Sequence, residues 1–570
     1  MIIQPIIDLV AIAAKSGIQH AILSPGSRCA PLTLAFVRHG DIHCRTISDE
    51  RSAAFIALGM AQQLEKPVVL VCTSGSAALN YAPAVAEAYF QQIPLLIITA
   101  DRPKEWIDQW DGQTIRQEEI YGKHVKGSFN FPDEFSHADK VWHAHRISNE
   151  AIRLAQAYPP GPVHINIPLR EPFYPEADET YDYDRNLPIR DEVIAGLALS
   201  PEEKIKLKTA LENYQRILLV PGQQRPDENL KALLALAVDQ DQAVVVADGI
   251  SNMGSENSIT YHDHFLTAVA EDPNYKPDLI ISFGKSIISK SLKLFLRNTG
   301  ADHWHIQEAG YVADTYQHLT KHISTTPEDF LTFFTETSLT GDVQFRSHWH
   351  AADQLVAQNL GDILDKAAFG EYKAFHQILP HLPPDSKLHI SNSMGVRYYN
   401  FLGIKSPSYE VICNRGTSGI DGSNSTAVGC TFTTKDPVTL ITGDMAFFYD
   451  RNAFWHNYSM PNLRVIILNN HAGGIFRLID GPSRQPELEE FFETRQALDA
   501  QHLSLELGFK YYRADNDHTL EEILENFFQK SVHPQILEIF SESDSNAKIL
   551  QAVKAQTKKL LSEIENPKHS

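Results

Sequence analysis

Oxygen-bearing side chains follow two apolar, β-type runs in the stretch 440–476. The first run ends at Gly443-Asp444 and the second, Val465 to Leu468, ends at Asn469-Asn470, with a helix-permissive segment between them. This order predicts a β-α-β unit with polar oxygens at the carboxyl ends of two strands, where open α/β sheets bind ligands. A carboxylate and an amide oxygen suit a hard cation such as Mg²⁺. The Gly443 turn and the helix after it would offer backbone N–H groups to a diphosphate.

The same residues also have a purely structural interpretation. An Asp at a strand end is a common helix cap, and an Asn pair is a common turn. Spacing alone leaves both interpretations open for Asp444 and the Asn pair.

Two further stretches near the N-terminus carry groups that could do chemistry. In LSPGSRCAPLTLA a strand ends in a glycine turn that bears Ser27 and Arg28. A guanidinium is a planar fork of donors and can bind a carboxylate, although an ordinary surface Arg in a βα turn fits equally well. In ISDERSAAF, Glu50 lies between a strand end and a helix start. Its simplest role there is to complement the helix dipole.

The elements that must position these residues alternate between short apolar strands and helices along the whole chain. This pattern predicts an α/β fold with three domains, each a parallel sheet covered by helices, at residues 1–180, 190–340 and 350–570. A segment rich in Pro, Asp, Glu and Tyr, 172–201, predicts a linker between the first two domains, and 547–565 predicts an exposed amphipathic helix. The predicted strands are 21–24, 42–47, 67–72, 94–99, 163–167, 217–220, 243–247, 279–283, 304–307, 387–391, 409–413, 438–442, 465–468, 511–513 and 535–540.

Composition narrows the classes of function. The net charge of −21 over 570 residues argues against nucleic acid or an anionic membrane as partner, because both require basic surface. Five cysteines without a C-x-x-C motif are typical of reduced thiols and predict a cytoplasmic protein. The N-terminal segment lacks a basic leader and contains Asp8, which predicts an amphipathic helix, not a signal peptide. No apolar run is long enough for membrane insertion.

The order Gly-Asp-x, helix, strand, Asn-Asn resembles the signature of thiamine diphosphate enzymes. This resemblance implies that Asp444, Asn470 and the carbonyl of Ala472 hold Mg²⁺, with Mn²⁺ as a possible substitute, and that the metal binds the diphosphate. It also implies cofactor contacts from Gly443, Met445 and Ala446, and from Ile420, which would lie between the two cofactor rings. Glu50 would hydrogen-bond N1′ of the aminopyrimidine and act as the catalytic acid–base partner. Met445 and Ala472 replace commoner glycines.

Longer motifs resemble one branch of this family. They are SPGSR-x-x-PLTLA, DERSAAF-x-ALG, TSGSA, ITADRP and DGQTIRQ, followed by SNSMGVRYYNF, NRGTSGIDGSNSTAVG and NNHAGGIF. Enzymes of this branch are transferases of menaquinone biosynthesis, which decarboxylate 2-oxoglutarate and add the acyl anion equivalent to isochorismate in a 1,4-addition. The resemblance implies that these residues bind the anionic substrates: Ser27, Arg28, Gln113, Lys290, Ser393, Arg397, Arg415, Ile475 and Phe476. Ser291 follows Lys290 where some relatives have Arg.

The family also implies self-association. Its active sites combine the first domain of one subunit with the third domain of another, so a dimer is the expected minimum and a tetramer is compatible. An acetolactate synthase-type enzyme is the alternative activity, and the set Arg28, Arg397 and Arg415 argues against it because the set suits multiply anionic substrates. A non-catalytic binding protein on the same scaffold is a further alternative, and the presence of Glu50, Asp444 and Asn470 together argues against it.

Overall fold

Three parallel β-sheets flanked by helices make up the computed structural model, which describes residues 2–176, 179–193 and 196–565. The predicted α/β class is confirmed. Within these residues, no helix combines the length and apolar character needed to cross a membrane.

The first sheet has six strands in the order β2-β1-β3-β4-β6-β5. Its strands are β1 (His20–Leu23), β2 (His43–Thr46), β3 (Val68–Cys72), β4 (Leu95–Asp101), β5 (Ser128–Asn130) and β6 (Val163–Pro168). The helices of this part are α1 (Gln4–Lys15), α2 (Ala30–Arg38), α3 (Glu50–Leu64), α4 (Ser76–Asn80), α5 (Ala82–Gln91) and α6 (Ala138–Gln156).

The second sheet has five strands in the order β11-β10-β9-β7-β8. Its strands are β7 (Ile217–Pro221), β8 (Val244–Val245), β9 (Leu279–Phe283), β10 (Asp302–Ile306) and β11 (Leu319–Ile323). The accompanying helices are α7 (Pro201–Leu211), α8 (Glu228–Asp239), α9 (His262–Val269), α10 (Lys290–Asn298) and α11 (Pro327–Thr335).

The third sheet repeats the topology of the first, in the order β13-β12-β14-β15-β17-β16. Its strands are β12 (Lys387–Ile390), β13 (Glu410–Ile412), β14 (Val438–Gly443), β15 (Leu463–Asn469), β16 (Lys510–Ala514) and β17 (Gln535–Phe540). The helices are α12 (Val343–Asp365), α13 (Glu371–Ile378), α14 (Met394–Phe401), α15 (Ser423–Thr431), α16 (Asp444–Tyr449), α17 (Gln501–Glu506), α18 (Asp517–Phe527) and α19 (Ser543–Glu565). This sheet brings Asp444 and Asn469-Asn470 to one edge, because β14 and β15 are neighbours.

Both terminal helices are more buried than their sequences indicate. In α1, every residue from Pro5 to Ala13 is buried, including Asp8, which accepts hydrogen bonds from His145 and Arg185. These two hydrogen bonds offset the cost of burying the Asp8 carboxylate. Because every residue from Pro5 to Ala13 is buried, α1 is covered on most of its sides. The last helix, α19, is amphipathic as predicted, but only one face of it is exposed. Its apolar face buries Ile549, Leu550 and Val553 in a core shared with the second and third sheets.

The predicted linker follows the first sheet as an irregular chain that packs on it. Phe173 and Leu187 are buried in the core of this sheet, and the Tyr183 hydroxyl donates to the Ala35 carbonyl at 2.5 Å. Residues 177, 178, 194 and 195 of the predicted linker lie outside the described residues.

The first and third sheets are joined by a close crossing of α3 and α15. A Cβ atom added at Gly59 would lie 2.0 Å from the Thr426 carbonyl oxygen, and one added at Gly429 would lie 2.0 Å from the Ile56 carbonyl oxygen. The two helix backbones are therefore in direct contact at two points. One apolar core runs through both sheets at this crossing, from Ile22 to Ile536.

Candidate active site

A cavity of about 450 Å³ lies at the carboxyl edge of the third sheet. This is the size and position at which α/β proteins bind small ligands. Of the residues predicted from the sequence, twelve line it: Ser393, Arg397, Arg415, Ile420, Gly443, Asp444, Met445, Ala446, Asn470, Ala472, Ile475 and Phe476.

Asp444 begins α16 directly after β14 and is 2% exposed. Its Oδ2 accepts a hydrogen bond of 2.7 Å from Gln496 Nε2. Burial raises the pKa of Asp444 to about 6, although the bond from Gln496 acts in the opposite direction. Within the described residues no cation forms an ion pair with this carboxylate. A buried carboxylate without a counter-ion is costly, and a bound cation would remove that cost.

Asn470 follows β15 and has its amide fixed by two hydrogen bonds. Its Nδ2 donates to Glu371 Oε1 at 2.6 Å, and its Oδ1 accepts from the Ala472 backbone N–H at 2.9 Å. Burial raises the pKa of Glu371 to about 7, and the charge of Asp444 acts in the same direction. Because the Glu371 carboxylate accepts from the NH₂ group of the Asn470 side chain, the amide oxygen of Asn470 points away from Glu371.

These donors fit the metal and cofactor that the sequence implies. Asp444, Asn470 and the Ala472 carbonyl are all oxygen donors, as Mg²⁺ requires, and the carboxyl groups of Asp444 and Glu371 are buried beside the cavity. Three protein oxygens would leave coordination positions for a diphosphate and water. The Asp444 carboxylate also accepts from the backbone N–H groups of Met445 and Asp444 at the start of α16, and these bonds lower its pKa. Its assignment as a metal ligand stays a prediction.

Two guanidinium groups line the same cavity. Arg397 Nη1 donates to the Ser393 carbonyl, and Arg415 Nη1 donates to Asn392 Oδ1 at 2.8 Å. Burial lowers the pKa of Arg397, and the positive charge of Arg415 lowers it further. Neither arginine pairs with a carboxylate among the described residues, and Arg415 Nε is buried without a partner. The pair thus has unused donors for an anionic ligand.

The backbone at Ser393 is strained. Its φ of 75° and ψ of −126° lie in a region that residues with a Cβ atom rarely adopt. Strain of this kind is concentrated at functional sites, where the surrounding structure enforces it. Ser393 precedes α14, so this turn aims the start of the helix that carries Arg397 into the cavity.

The remaining predicted residues of the first domain lie at the carboxyl edge of the first sheet. Arg28, 7% exposed, donates to the Leu169 carbonyl at 2.5 Å and lies 4.9 Å from the Phe173 ring centre. Burial lowers its pKa, and the charge of Arg102 does so too. Ser27 and Gln113 are exposed in the loops that follow β1 and β4.

Glu50 is the first residue of α3, but it is not the residue that caps this helix. The cap is Asp49, whose side chain accepts from the Ser52 N–H at 3.1 Å. Glu50 is half-buried. Burial is the main reason why the pKa values of Cys72 and Tyr81 are raised, and the charge of Glu50 makes a smaller contribution in the same direction. The helix start therefore does not depend on Glu50 for capping.

Within one chain, these residues do not reach the cavity. Ser27, Arg28, Glu50 and Gln113 are absent from its lining, as is Lys290, which is exposed at the start of α10. The predicted site residues thus form two separate sets, one at the edge of the first sheet and one at the edge of the third, while Lys290 lies in the second domain, outside both sets.

Several residues that orient the site were not predicted from the sequence. Glu371 and Gln496 each bond to a proposed metal ligand, and Arg102 lies beside Arg28 with its Nη1 3.2 Å from Asp111. Of these three residues, only Arg102 could have been suspected from the sequence, because it directly follows the apolar run of β4. The other two are 99 and 52 residues from their partners, so no local pattern connects them.

Three family models match the chain in succession. They are the thiamine pyrophosphate enzyme N-terminal TPP binding domain at residues 8–120, the middle domain of thiamine pyrophosphate enzymes at 210–390, and the C-terminal TPP binding domain at 393–539. The two TPP binding models cover the sheet edges at which both sets of site residues lie.

Relatives of known name match almost the whole chain, and all three described here are called 2-succinyl-5-enolpyruvyl-6-hydroxy-3-cyclohexene-1-carboxylate synthase. The protein of Cytophaga hutchinsonii is 47% identical over 97% of this chain and 98% of its own length. Those of Flavobacterium johnsoniae and Porphyromonas gingivalis are 38% and 37% identical, each over 95% of this chain and over 97% and 95% of their own lengths. The chain therefore belongs to the 2-succinyl-5-enolpyruvyl-6-hydroxy-3-cyclohexene-1-carboxylate synthase family of thiamine diphosphate enzymes.

Proposed function

We propose that this protein decarboxylates 2-oxoglutarate and adds the resulting four-carbon unit to isochorismate, in menaquinone biosynthesis. The observation that carries the proposal is the pair Arg397 and Arg415, whose free donors share a cavity with Asp444 and Asn470. Both substrates are carboxylates, and a desolvated guanidinium binds a carboxylate through a planar, bidentate contact. The relatives described above carry the name of this synthase.

Bound thiamine diphosphate supplies the nucleophilic carbon and the electron sink for this chemistry. Asp444, Asn470 and the Ala472 carbonyl would hold Mg²⁺, or Mn²⁺ in its place, while Gly443, Met445 and Ala446 would contact the diphosphate. Ile420 would separate the two rings of the cofactor, and Ile475 and Phe476 would exclude water from the substrates. Ser393 would donate to a substrate carboxylate beside the two arginines.

Glu50 would hold a proton at N1′ of the aminopyrimidine. This role requires a carboxyl group that is free of other bonds, and Glu50 forms no ion pair among the described residues. Ser27, Arg28 and Gln113, at the same sheet edge, would contact the substrate carboxylates, together with Lys290.

One assay tests the proposed activity. The purified protein is incubated with thiamine diphosphate, Mg²⁺ and 2-oxoglutarate, with and without isochorismate, while CO₂ release and isochorismate consumption are followed. We expect both to proceed in equal amounts when all components are present. Turnover of pyruvate in preference to 2-oxoglutarate would instead identify an acetolactate synthase-type enzyme.

The arginine pair gives a more specific prediction. Arg397→Ala and Arg415→Ala should each raise the KM for a carboxylate substrate by about ten- to a hundredfold, the cost of one charge-assisted hydrogen bond in a desolvated site. Arg→Lys should restore little, because a point charge does not reproduce the fork. Steady-state kinetics with each substrate varied separately measure the effect, and calorimetry of thiamine diphosphate should show unchanged affinity. Normal kinetics in both alanine variants would assign the arginines a structural role.

We further propose that two chains combine their site residues in a dimer or a larger assembly. The two sets lie apart in one chain, and large apolar side chains are exposed in both regions: Leu79, Tyr89, Phe90, Trp106 and Trp110 in the first, and Tyr449, Trp455, Phe491 and Leu498 in the third. Apolar exposure on this scale is typical of association surfaces.

Complementation between two inactive variants tests the shared site. When Glu50→Gln and Asp444→Ala chains are co-expressed, a mixed two-fold dimer would hold one site with both intact residues. With random pairing, about a quarter of all sites in the mixture should be intact, so the activity should reach up to about a quarter of that of the parent protein. If each chain built its site alone, the mixture would remain as inactive as its components.

A further inference from the structure

The loop between β13 and α15 brings two proposed site residues into the cavity. Residues 413–422 contain neither helix nor strand, yet both Arg415 and Ile420 line the cavity from this loop. The position of these side chains therefore depends on what holds the loop.

Glu87, on α5 of the first domain, holds the part of the loop directly after Arg415. Its Oε1 accepts from the Gly416 N–H at 2.8 Å, and its Oε2 accepts from the Thr417 N–H and the Thr417 hydroxyl, both at 2.6 Å. Gln91 Nε2, one helical turn away on α5, donates to Oε1 at 2.7 Å. Glu87 is 1% exposed, so its carboxylate oxygens accept hydrogen bonds from protein groups and not from solvent.

The contact has little freedom to shift. A Cβ atom added at Gly416 would lie 2.6 Å from the Glu87 carbonyl oxygen, so the loop backbone rests directly on the backbone of α5. No Lys or Arg forms an ion pair with Glu87 in the described ranges, although burial lowers the pKa of the nearby Lys285 and the charge of Glu87 raises it. The hydrogen bonds to the carboxylate come from directed N–H and O–H groups. These bonds are lost when the geometry changes by a fraction of an ångström, because hydrogen bonds are short and directional.

Other residues hold the two ends of the loop. Gln223, from the second domain, donates to the Cys413 carbonyl at 2.7 Å. Asn392, within the third domain, donates to the Gly419 carbonyl at 2.7 Å, next to Ile420. It also donates to the Asn414 carbonyl at 2.5 Å and accepts from Arg415 Nη1 at 2.8 Å. Glu87 thus holds the middle of the loop, adjacent to Arg415, while the Ile420 end has its own attachment.

We propose that Glu87 is a positioning residue that fixes Arg415 for the substrate carboxylate. The proposal rests on the proposed substrate role of Arg415. Glu87 touches neither substrate nor cofactor; it acts through the backbone of Gly416 and Thr417. Because the bond from Asn392 to Gly419, next to Ile420, does not involve Glu87, the effect should fall on substrate affinity and leave cofactor affinity unchanged.

Glu87→Gln is the primary test, since the amide keeps the shape but turns one acceptor into a donor that faces N–H groups. We expect the KM of the substrate that Arg415 binds to rise about tenfold, the cost of about one displaced hydrogen bond to a charged group. The thiamine diphosphate dissociation constant, measured by calorimetry, should remain within about twofold. Thr417→Val removes one donor without touching α5, and Thr417→Ser, which keeps the hydroxyl, is its matched control.

A double-mutant cycle separates positioning from general destabilisation. If Glu87 acts through Arg415, Glu87→Gln should add no more than about twofold to the KM of an Arg415→Ala background. Multiplication of the two effects overturns the proposal, as does a normal KM in Glu87→Gln. If Glu87→Gln does not fold, the same cycle with Thr417→Val decides. A normal KM in Arg415→Ala alone would overturn the proposed function of Arg415 first, and the two failures are thereby distinguished.

Discussion

Glu50→Gln should yield a folded protein that binds thiamine diphosphate normally but turns over about a hundred- to ten-thousandfold more slowly, the usual worth of a positioned acid–base group. The fold should tolerate the change because Asp49 caps α3 and Glu50 is only half-buried. The amide is nearly isosteric but cannot exchange a proton with N1′. The loss should therefore appear in kcat.

Hydrogen–deuterium exchange at the thiazolium C2 of the bound cofactor is the direct measurement. It should be fast in the parent protein and slow in Glu50→Gln. Glu65→Gln, the same chemical change at the exposed C-terminal end of α3, provides the control and should leave exchange and turnover unaltered. Equal exchange rates in the parent and in Glu50→Gln would show that Glu50 is not the catalytic acid–base partner and only complements the helix dipole.

Asp444→Ala should abolish retention of thiamine diphosphate. The metal would lose the only charged side chain among its three proposed ligands. Changes in residues that merely hydrogen-bond to metal ligands already weaken metal sites by about ten- to a hundredfold. We therefore expect the apparent cofactor affinity to fall by more than about a hundredfold. Removing a buried carboxylate that has no cation partner should not destabilise the unliganded fold through a lost ion pair.

Calorimetric titration with thiamine diphosphate at fixed Mg²⁺ measures this loss. Asp480→Ala, at an exposed position of the same domain, removes an equal charge and should bind the cofactor normally. Parent-like affinity in Asp444→Ala would refute the metal assignment and restore the simpler interpretation of Asp444 as a helix cap.

The interior strands could be predicted from the sequence because they are buried on both faces. The predicted strands 279–283 and 535–540 agree with the observed bounds of β9 (Leu279–Phe283) and β17 (Gln535–Phe540). Both are mostly apolar, although Ser282 interrupts the first and Glu538 the second. The strands β5 and β11 were missed, and both are at sheet edges. An edge strand such as Leu319–Ile323 alternates between buried and exposed positions, so its sequence, LTKHI, has no apolar run.

The site shows a similar division. Residues that follow strand ends, such as Asp444 and Asn470, could be predicted because parallel strands place their carboxyl ends at one edge. Glu371 and Glu87 could not, because each acts on a residue about a hundred or more positions away through tertiary packing alone. The strained turn at Ser393 was equally hidden, since nothing in residue type indicates that a serine adopts a φ of 75°.

The close crossing of α3 and α15 at Gly59 and Gly429 has a consequence for how the chain could be divided. The third sheet shares one apolar core with the first, through α3 and α15, and another with the second, through α12 and α19. Excising any sheet as a separate fragment would expose the apolar surface of its neighbour, at a cost of about 25 cal/mol per Å². The three domains are therefore not interchangeable modules, and recombination with a relative should succeed only when α3 and α15 are inherited together.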